Sequence, residues 1–182
     1  MQTVMKNLYI LFALLCATVE SYAQTTFTLE SSRIQYSGYH VAHDWTGFSE
    51  AAKGILIRDE GQPSRIAISV ALNSFDSNSS NRDSNALRVL NALKFPEVRF
   101  YSETIRKIDE ETVELSGFFE LNGLRKEYKV LLKGKSEDKL YRLSGDFRVN
   151  LLDFDLKLPR FLLKPIDENI DLEVDLKFKQ NS

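Results

Sequence analysis

The stretch IDLEVDLKF, at residues 170–178, alternates strictly between apolar and charged side chains. Successive residues of a β-strand point to opposite faces of a sheet, so a strand with this sequence has one apolar and one charged face. A helix would spread both kinds of side chain around its circumference. The stretch therefore predicts a half-buried strand, with Leu172 and Val174 on its buried side.

The same alternation recurs in the preceding part of the chain. Apolar residues spaced two apart, or short apolar runs, occur at 27–29, 34–36, 54–57, 66–72, 98–100, 113–121, 128–132 and 147–151. Asn122-Gly123 is a strong signal for a short hairpin, residues 60–63 break another pair of runs, and the polar residues 133–138 predict a loop. About eight to ten short strands in one chain favour a β-sandwich or a β-barrel.

One segment departs from this pattern. Residues 74–83 are rich in Ser, Asn and Asp, and four apolar residues that share one helical face follow them: Ala86, Leu87, Leu90 and Leu93. Asp83 or Ser84 is the predicted N-cap, and Pro96 is expected to stop the helix. The segment predicts one helix of roughly ten residues that covers part of the sheet or closes an end of a barrel.

The first residues have the order of a secretory signal peptide. Lys6 precedes a run of 12 apolar residues at 8–19, and Ser21-Tyr22-Ala23 places small residues before a cleavage point. The run is shorter than the roughly 20 residues of a membrane-spanning helix. We expect a signal peptide at 1–23, one domain at 24–182, and a periplasmic or secreted protein. An uncleaved anchor or a buried first helix is the alternative.

The charge balance and the motifs argue against several function classes. The chain has 24 basic and 26 acidic residues, a net charge of −2, so it has no basic excess for nucleic acid. It has no glycine-rich phosphate loop, and no pair of carboxylates stands out for acid–base work. We therefore predict no catalytic residue and no resident cofactor.

The two histidines are the strongest candidates for metal ligands in the sequence. His40 and His43 lie three residues apart with Asp44 adjacent. Residues three apart in a strand face opposite sides, so a metal would need a turn there and ligands from elsewhere. We predict no metal site and place both histidines, with Arg82, at the mouth of a barrel, where a headgroup could meet them. In the alternative, the histidines are structural and Arg82 is solvated.

With only one short helix available, the sheet must cover its own apolar face. Closure into a barrel achieves this and removes the sheet edges. We expect an all-β, lipocalin-like antiparallel barrel of about eight strands with one short helix. Its interior is either filled by side chains or holds one small ligand. The residues predicted to line an apolar pocket are Ile34, Tyr36, Trp45, Ile68, Val70, Phe100, Phe119, Phe147, Leu172 and Val174, although Trp45 could instead plug the barrel.

Four groups of residues, taken in order, resemble a known family. They are 32–36 with His40, 45–48 and 54–55; 74–77 with 81–83 and 95–102; 117–126; and 147–150 with 153–154. In order and spacing these groups resemble the YceI-like family of exported lipocalin-like proteins, over nearly the whole chain after residue 23. Two departures are the short stretch between His40 and Trp45, and Asp155 where the family commonly has glycine.

The resemblance implies a function as well as a fold. It implies a non-enzymatic barrel in the periplasm or outside the cell that carries a polyisoprenoid or a similar long amphiphile in an apolar tunnel. It also implies that the helix near Asp83 lies by the barrel mouth. The leading hypothesis is a carrier of an isoprenoid lipid or quinone, acting as a monomer or homodimer with transient membrane contact.

Two other hypotheses stay open. One is a structural or interaction module of the cell envelope with a side-chain-filled barrel and no ligand. The other is a cyclase or isomerase that uses His40 or His43 as a proton donor.

Overall fold

The computed structural model describes residues 24–40, 43–161 and 164–181. The predicted signal peptide at 1–23 lies outside them. The described strands are β1 Thr25–Gly38, β2 Trp45–Ser49, β3 Lys53–Asp59, β4 Gln62–Ala71, β5 Glu97–Lys107, β6 Thr112–Leu121, β7 Leu124–Glu137, β8 Leu140–Asn150, β9 Arg160–Phe161, β10 Lys164–Pro165 and β11 Asn169–Gln180. The helix α1 spans Ser80–Val89, and two short 3-10 helices span Leu72–Ser74 and Leu151–Phe154.

The main sheet closes into a barrel. Its strands follow the order β11-β8-β7-β6-β5-β4-β3-β1, each antiparallel to its neighbour, and β1 returns to pair with β11. Strand β3 pairs with residues 25–28 of β1, and β2 pairs with residues 34–38 of the same strand. The two strands therefore lie end to end and together form one of the eight strand positions in the barrel wall. The predicted fold, an antiparallel barrel of about eight strands with one helix, is confirmed. No helix in the described part of the chain is long and apolar enough to cross a bilayer.

The prediction of two short strands at 27–29 and 34–36 was wrong, because β1 is continuous. Its pairing register with β11 shifts between Leu29 and Ser31. Such a bulge moves the side-chain alternation by one residue, so that Phe27 and Ile34 both point into the barrel. The change of phase makes one strand look like two in the sequence.

The loop predicted at 133–138 was also wrong. Strand β7 continues to Glu137, and residues 133–137 pair with 140–144 of β8. This segment carries lysine, serine and glutamate because its side chains are mostly exposed, beyond the apolar interior. The backbone ladder holds it in the sheet without an apolar face.

The helix has the predicted length of ten residues but begins earlier than predicted. Its N-cap is Ser79, so the assignment of that position to Asp83 or Ser84 was wrong. Asp83 lies in the first turn, where its Oδ1 accepts hydrogen bonds from the N–H and the Oγ of Ser77, at 3.2 and 2.6 Å. The helix ends at Val89, so Leu93 lies outside it and is fully exposed.

Strands β7 and β8 separate towards the end of the barrel that carries α1. Their pairing covers only 133–137 and 140–144. Between the remaining parts, the fully buried Phe154 packs with its ring centroid 5.7 Å from that of Phe119 and 6.3 Å from that of Tyr128. Side-chain packing replaces the backbone ladder here, and we call this region the β7–β8 seam.

Asp155 ends the 3-10 helix that brings Phe154 into the seam. Its backbone is left-handed, with φ 54° and ψ 31°. Glycine adopts this conformation at no steric cost, and aspartate is among the few other residues that tolerate it. Asp155, which replaces the glycine common in the family, therefore keeps the left-handed backbone conformation that glycine favours.

Candidate ligand cavity

The barrel encloses an apolar cavity of about 290 Å³. All ten residues predicted to line an apolar pocket lie around it: Ile34, Tyr36, Trp45, Ile68, Val70, Phe100, Phe119, Phe147, Leu172 and Val174. They come from seven strands, and each occupies an inward position. The structure therefore brings the whole predicted set to one enclosed space.

Further lining residues were not chosen from the sequence. At the helix end of the barrel the cavity also touches Phe75, Leu87 and Leu90. At greater depth it touches Ile66, Leu115, Val130, Leu132 and Leu176. The alternation already placed several of these on inward faces. Their depth depends on the stagger of the strands around the barrel, which period-two patterning does not specify.

One end of the barrel is filled by side chains. We call it the hairpin end, because it carries the turns at 60–61, 108–111 and 138–139. Six buried residues near these turns belong to the core cluster but do not line the cavity: Phe27, Leu56, Val113, Tyr141, Leu143 and Phe178. We call them the floor cluster. They separate the cavity from solvent at this end.

The opposite, mouth end carries α1 and the polar part of the lining. Arg82, Asp83 and Asn85 of α1 contribute there, together with Trp45 and Pro159. The Nη1 of Arg82 donates a hydrogen bond of 3.2 Å to the carbonyl of Ser77. Arg82 thus lies at the mouth as predicted, whereas contact with a headgroup stays a prediction.

Trp45 forms part of the wall next to the mouth. The indole lies against Gly38, where a Cβ would come within 2.5 Å of the ring. A glycine at this position in β1 leaves room for the indole, which is half-buried in the cavity wall. Of the two roles considered from the sequence, Trp45 takes the lining position.

The histidines lie outside the cavity lining. His40 is buried beside a shallow surface cleft that it shares with Tyr39 and residues 165–169. His43 is exposed, and its ring centroid lies 6.0 Å from that of Trp45. Over the described residues, no three His, Cys, Asp or Glu side chains converge as a metal site.

Ionisable groups touch the cavity mainly around its mouth. Burial, followed by the negative charge of Asp83, raises the pKa of the Tyr36 hydroxyl above its ordinary value. The phenol is therefore neutral at physiological pH. Of the described lining residues, the other ionisable ones are Arg82, Asp83 and Arg99, and Arg99 is held at the rim by Glu97 and Glu120. The interior thus suits an uncharged hydrocarbon.

Comparison with known proteins agrees with this architecture. Protein YceI of Salmonella arizonae is 26% identical over 155 residues, which is 80% of this chain and 78% of that protein. The crystal structure of BcnA from Burkholderia cenocepacia superposes with a TM-score of 0.72 at 11% identity, covering 80% of this chain and 95% of BcnA.

A second solved structure has the same fold. It is a polyisoprenoid binding domain from Saccharophagus degradans implicated in plant cell wall breakdown, with a TM-score of 0.69 at 10% identity, covering 85% of this chain and 98% of that domain. The model of the YceI-like domain matches residues 25–178 of this sequence. The barrel, its cavity and this match over nearly all described residues lead to one assignment: the chain belongs to the YceI-like family.

Proposed function

We propose that this protein is an exported, non-catalytic carrier that shields the apolar tail of an amphiphile, such as an isoprenoid lipid or quinone, inside its barrel. The observation that carries the proposal is the apolar cavity of about 290 Å³ inside the barrel, which opens at the mouth end. The polyisoprenoid binding domain from Saccharophagus degradans shares the fold and supports an isoprenoid as the class of ligand.

The size of the cavity favours a ligand-holding role over a side-chain-filled structural module. An apolar cavity of about 150 Å³ in another protein is enough to bind one benzene molecule, and the cavity of this barrel, at about 290 Å³, is nearly twice as large. Each methylene that a ligand buries in such a lining contributes about 0.8 kcal/mol.

The cyclase or isomerase hypothesis has less support from the geometry. It needs His40 or His43 to reach the reacting atoms, and neither residue lines the cavity. Proton donation requires approach to within hydrogen-bond reach of the substrate. The proposed role is therefore binding, for transport, storage or sequestration.

Export is the part of the proposal that rests on sequence alone. The order of Lys6, the apolar run 8–19 and Ser21-Tyr22-Ala23 supports cleavage after residue 23 and a periplasmic or secreted location. The N-terminal residue of protein recovered from the periplasm or medium tests it. Gln24 is expected at the new N-terminus, and recovery of intact chain in the cytoplasm would contradict export.

Mass spectrometry of organic extracts from purified protein tests the carrier role. We expect an amphiphile to co-purify, or added isoprenoid alcohol to bind at one molecule per chain. Val70→Phe fills part of the cavity and should reduce binding, whereas Ala67→Phe on the outer face of the same strand should not. A chain that neither retains nor takes up an amphiphile would refute the proposal.

A further inference from the structure

The cavity is a blind pocket rather than an open tunnel, because the floor cluster closes its hairpin end. Phe178, Leu56 and Leu143 have no exposed surface, and Phe27 is 1% exposed. Leu56 and Leu143 pair in register with the deep lining residues Ile66 and Leu176, and neither of them lines the cavity. A tail that enters at the mouth therefore meets a floor.

Arg58 covers the floor cluster from outside. Its guanidinium carbon lies 5.5 Å from the ring centroid of Phe27 and 5.8 Å from that of Tyr141. Its Nε and Nη2 donate to the carbonyl of Gly61, and its Nη1 donates to the Oγ of Ser136 at 3.3 Å. The arginine thus links the β3–β4 turn to β7 across the closed end and holds the aromatic rings beneath it.

The volume above the floor limits what can enter. An apolar cavity of about 150 Å³ in another protein holds one benzene ring, which has six carbon atoms. A cavity of about 290 Å³ therefore has room for roughly a dozen carbon atoms. A longer tail must leave its remainder at the mouth in contact with water, or displace the close-packed floor cluster.

From this geometry we propose that the barrel selects its ligand by tail length and accepts one tail of up to about twelve carbon atoms. This inference rests on the proposed carrier function and makes it more specific. Each methylene that the cavity buries contributes about fourfold in affinity, and a methylene beyond the limit contributes little. Affinity should rise with tail length and then level off.

Straight-chain primary alcohols with even numbers of carbons from about 6 to 18 form a suitable probe series, because only the tail changes. Trp45 is the single tryptophan of the chain and lies in the cavity wall, so its fluorescence reports occupancy. Calorimetry of the same titrations supplies an independent dissociation constant. Affinity is expected to increase up to about twelve carbons and to change less than twofold beyond.

Two leucine variants test whether the floor sets the limit. Leu132 lines the deep part of the cavity and Leu156 does not, yet both are 5% exposed. Leu132→Ala removes three carbon atoms from the cavity lining next to the floor cluster and should move the plateau to longer tails by about three carbons. Leu156→Ala, the matched control, should lower stability to a similar degree without moving the plateau.

Val130→Phe makes the cavity smaller instead of larger, so length selection can still be tested if Leu132→Ala does not fold. Val130 also lines the deep part of the cavity, and the larger ring should shorten the longest accepted tail. Affinity that keeps rising through 16 and 18 carbons, or a plateau that no deep substitution moves, would overturn length selection while leaving the carrier function intact. Absence of binding at every length would overturn both.

Discussion

Two hairpin turns place both central residues at positive φ, and only one of them has the residue type that this conformation favours. Asn122-Gly123 has φ of 51° and 73°, and Glu60-Gly61 has φ of 51° and 77°. Both turns match the type I′ geometry, in which Asn-Gly is preferred because asparagine tolerates a left-handed backbone. Glu60 is therefore the less suitable residue at its position.

Glu60→Asn should raise the free energy of unfolding by about 0.5–1 kcal/mol, because it relieves the left-handed strain of glutamate. Urea denaturation, with an unchanged slope, measures the effect. Asn122→Glu is the reciprocal control and should destabilise, since it also removes the hydrogen bond from Asn122 Nδ2 to the carbonyl of Phe154. A Glu60→Asn protein that is less stable than the wild type would contradict the turn assignment.

At the outer face of β11, Asp171 makes stability depend on pH. Its carboxylate accepts hydrogen bonds from Arg148, at 2.7 and 3.0 Å, and from the hydroxyl of Tyr39, at 2.7 Å. Arg148 first, and Tyr39 second, lower the pKa of Asp171 below its ordinary value of 3.8. The stabilisation of the folded protein by Asp171 is thus fully present above the pKa that this residue has in the unfolded chain. It is lost as pH falls through the lower pKa that Asp171 has in the folded protein.

Asp171→Asn should therefore flatten the loss of unfolding free energy as pH falls below the ordinary aspartate pKa of 3.8. Tyr39→Phe, which removes only one of the two partners, should have a smaller effect in the same window. Denaturant titrations at a series of pH values provide the measurement. An unchanged acid profile in Asp171→Asn would show that this pair does not contribute.

At the scale of elements, the period-two pattern identified most of the wall. It predicted the inward residues of β4, β6, β8 and β11, and all ten predicted lining residues reach the cavity. It failed where a bulge shifts the phase of β1, and where β7 continues without an apolar face. The start of α1 was also missed, because Asp83 is a good capping residue that instead binds Ser77 from within the first turn.

The floor cluster could not be predicted, for a related reason. Its residues alternate in the same way as those that line the cavity, so Phe178 and Val174 look equivalent in the strand β11. Their separation into floor and lining depends on the stagger of the strands and on how side chains from eight wall positions meet. Periodicity along one strand contains no information about either.

Helix α1 is the least anchored part of the cavity wall. None of its residues is fully buried, although Ala86, Leu87 and Val89 line the cavity. Elements with few buried contacts open locally at lower free energy than core strands. Amides of residues 80–89 should exchange hydrogen faster than those of β11, and a bound twelve-carbon alcohol should slow them. Equal protection of α1 with and without ligand would contradict its placement over the cavity.

The loops at the mouth end present two exposed leucines to whatever the mouth approaches. Leu93 is fully exposed and Leu152 is half-exposed. Asn91 Nδ2 donates to Asn122 Oδ1 at 3.3 Å, and Asn122 donates to the carbonyl of Phe154, which holds the two loops together. These two leucines are where we expect the transient membrane contact that the sequence predicts.

Leu93→Asp combined with Leu152→Asp should slow the transfer of a fluorescent lipid from vesicles to the protein, because two apolar contacts with the bilayer are lost. Equilibrium affinity for a soluble twelve-carbon alcohol should be unchanged, since neither leucine lines the cavity. Stopped-flow fluorescence separates the two quantities. Unaltered transfer rates would place the membrane contact elsewhere.

At the scale of the whole molecule, occupancy and stability are coupled. A ligand present at a hundred times its dissociation constant adds about 2.7 kcal/mol to the free energy of unfolding. For a chain of this size that corresponds to a rise in Tm of about 5–10 °C. Calorimetric scans of delipidated protein with and without a twelve-carbon alcohol should show the rise. An identical Tm in both samples at saturating alcohol would mean that the folded and unfolded chains bind it equally.

The β7–β8 seam has a consequence that is independent of any cargo. Residues 124–132 of β7 have a described sheet partner on one side only, and an unsatisfied strand edge is a template on which a foreign chain can polymerise. Along this edge four of the five exposed side chains are charged, namely Arg125, Lys126, Glu127 and Lys129, and the fifth is Leu131. Mutual repulsion and the penalty of dehydrating these charges oppose edge-to-edge growth, so this short polar run helps to keep neighbouring copies from fusing into amyloid-like ribbons.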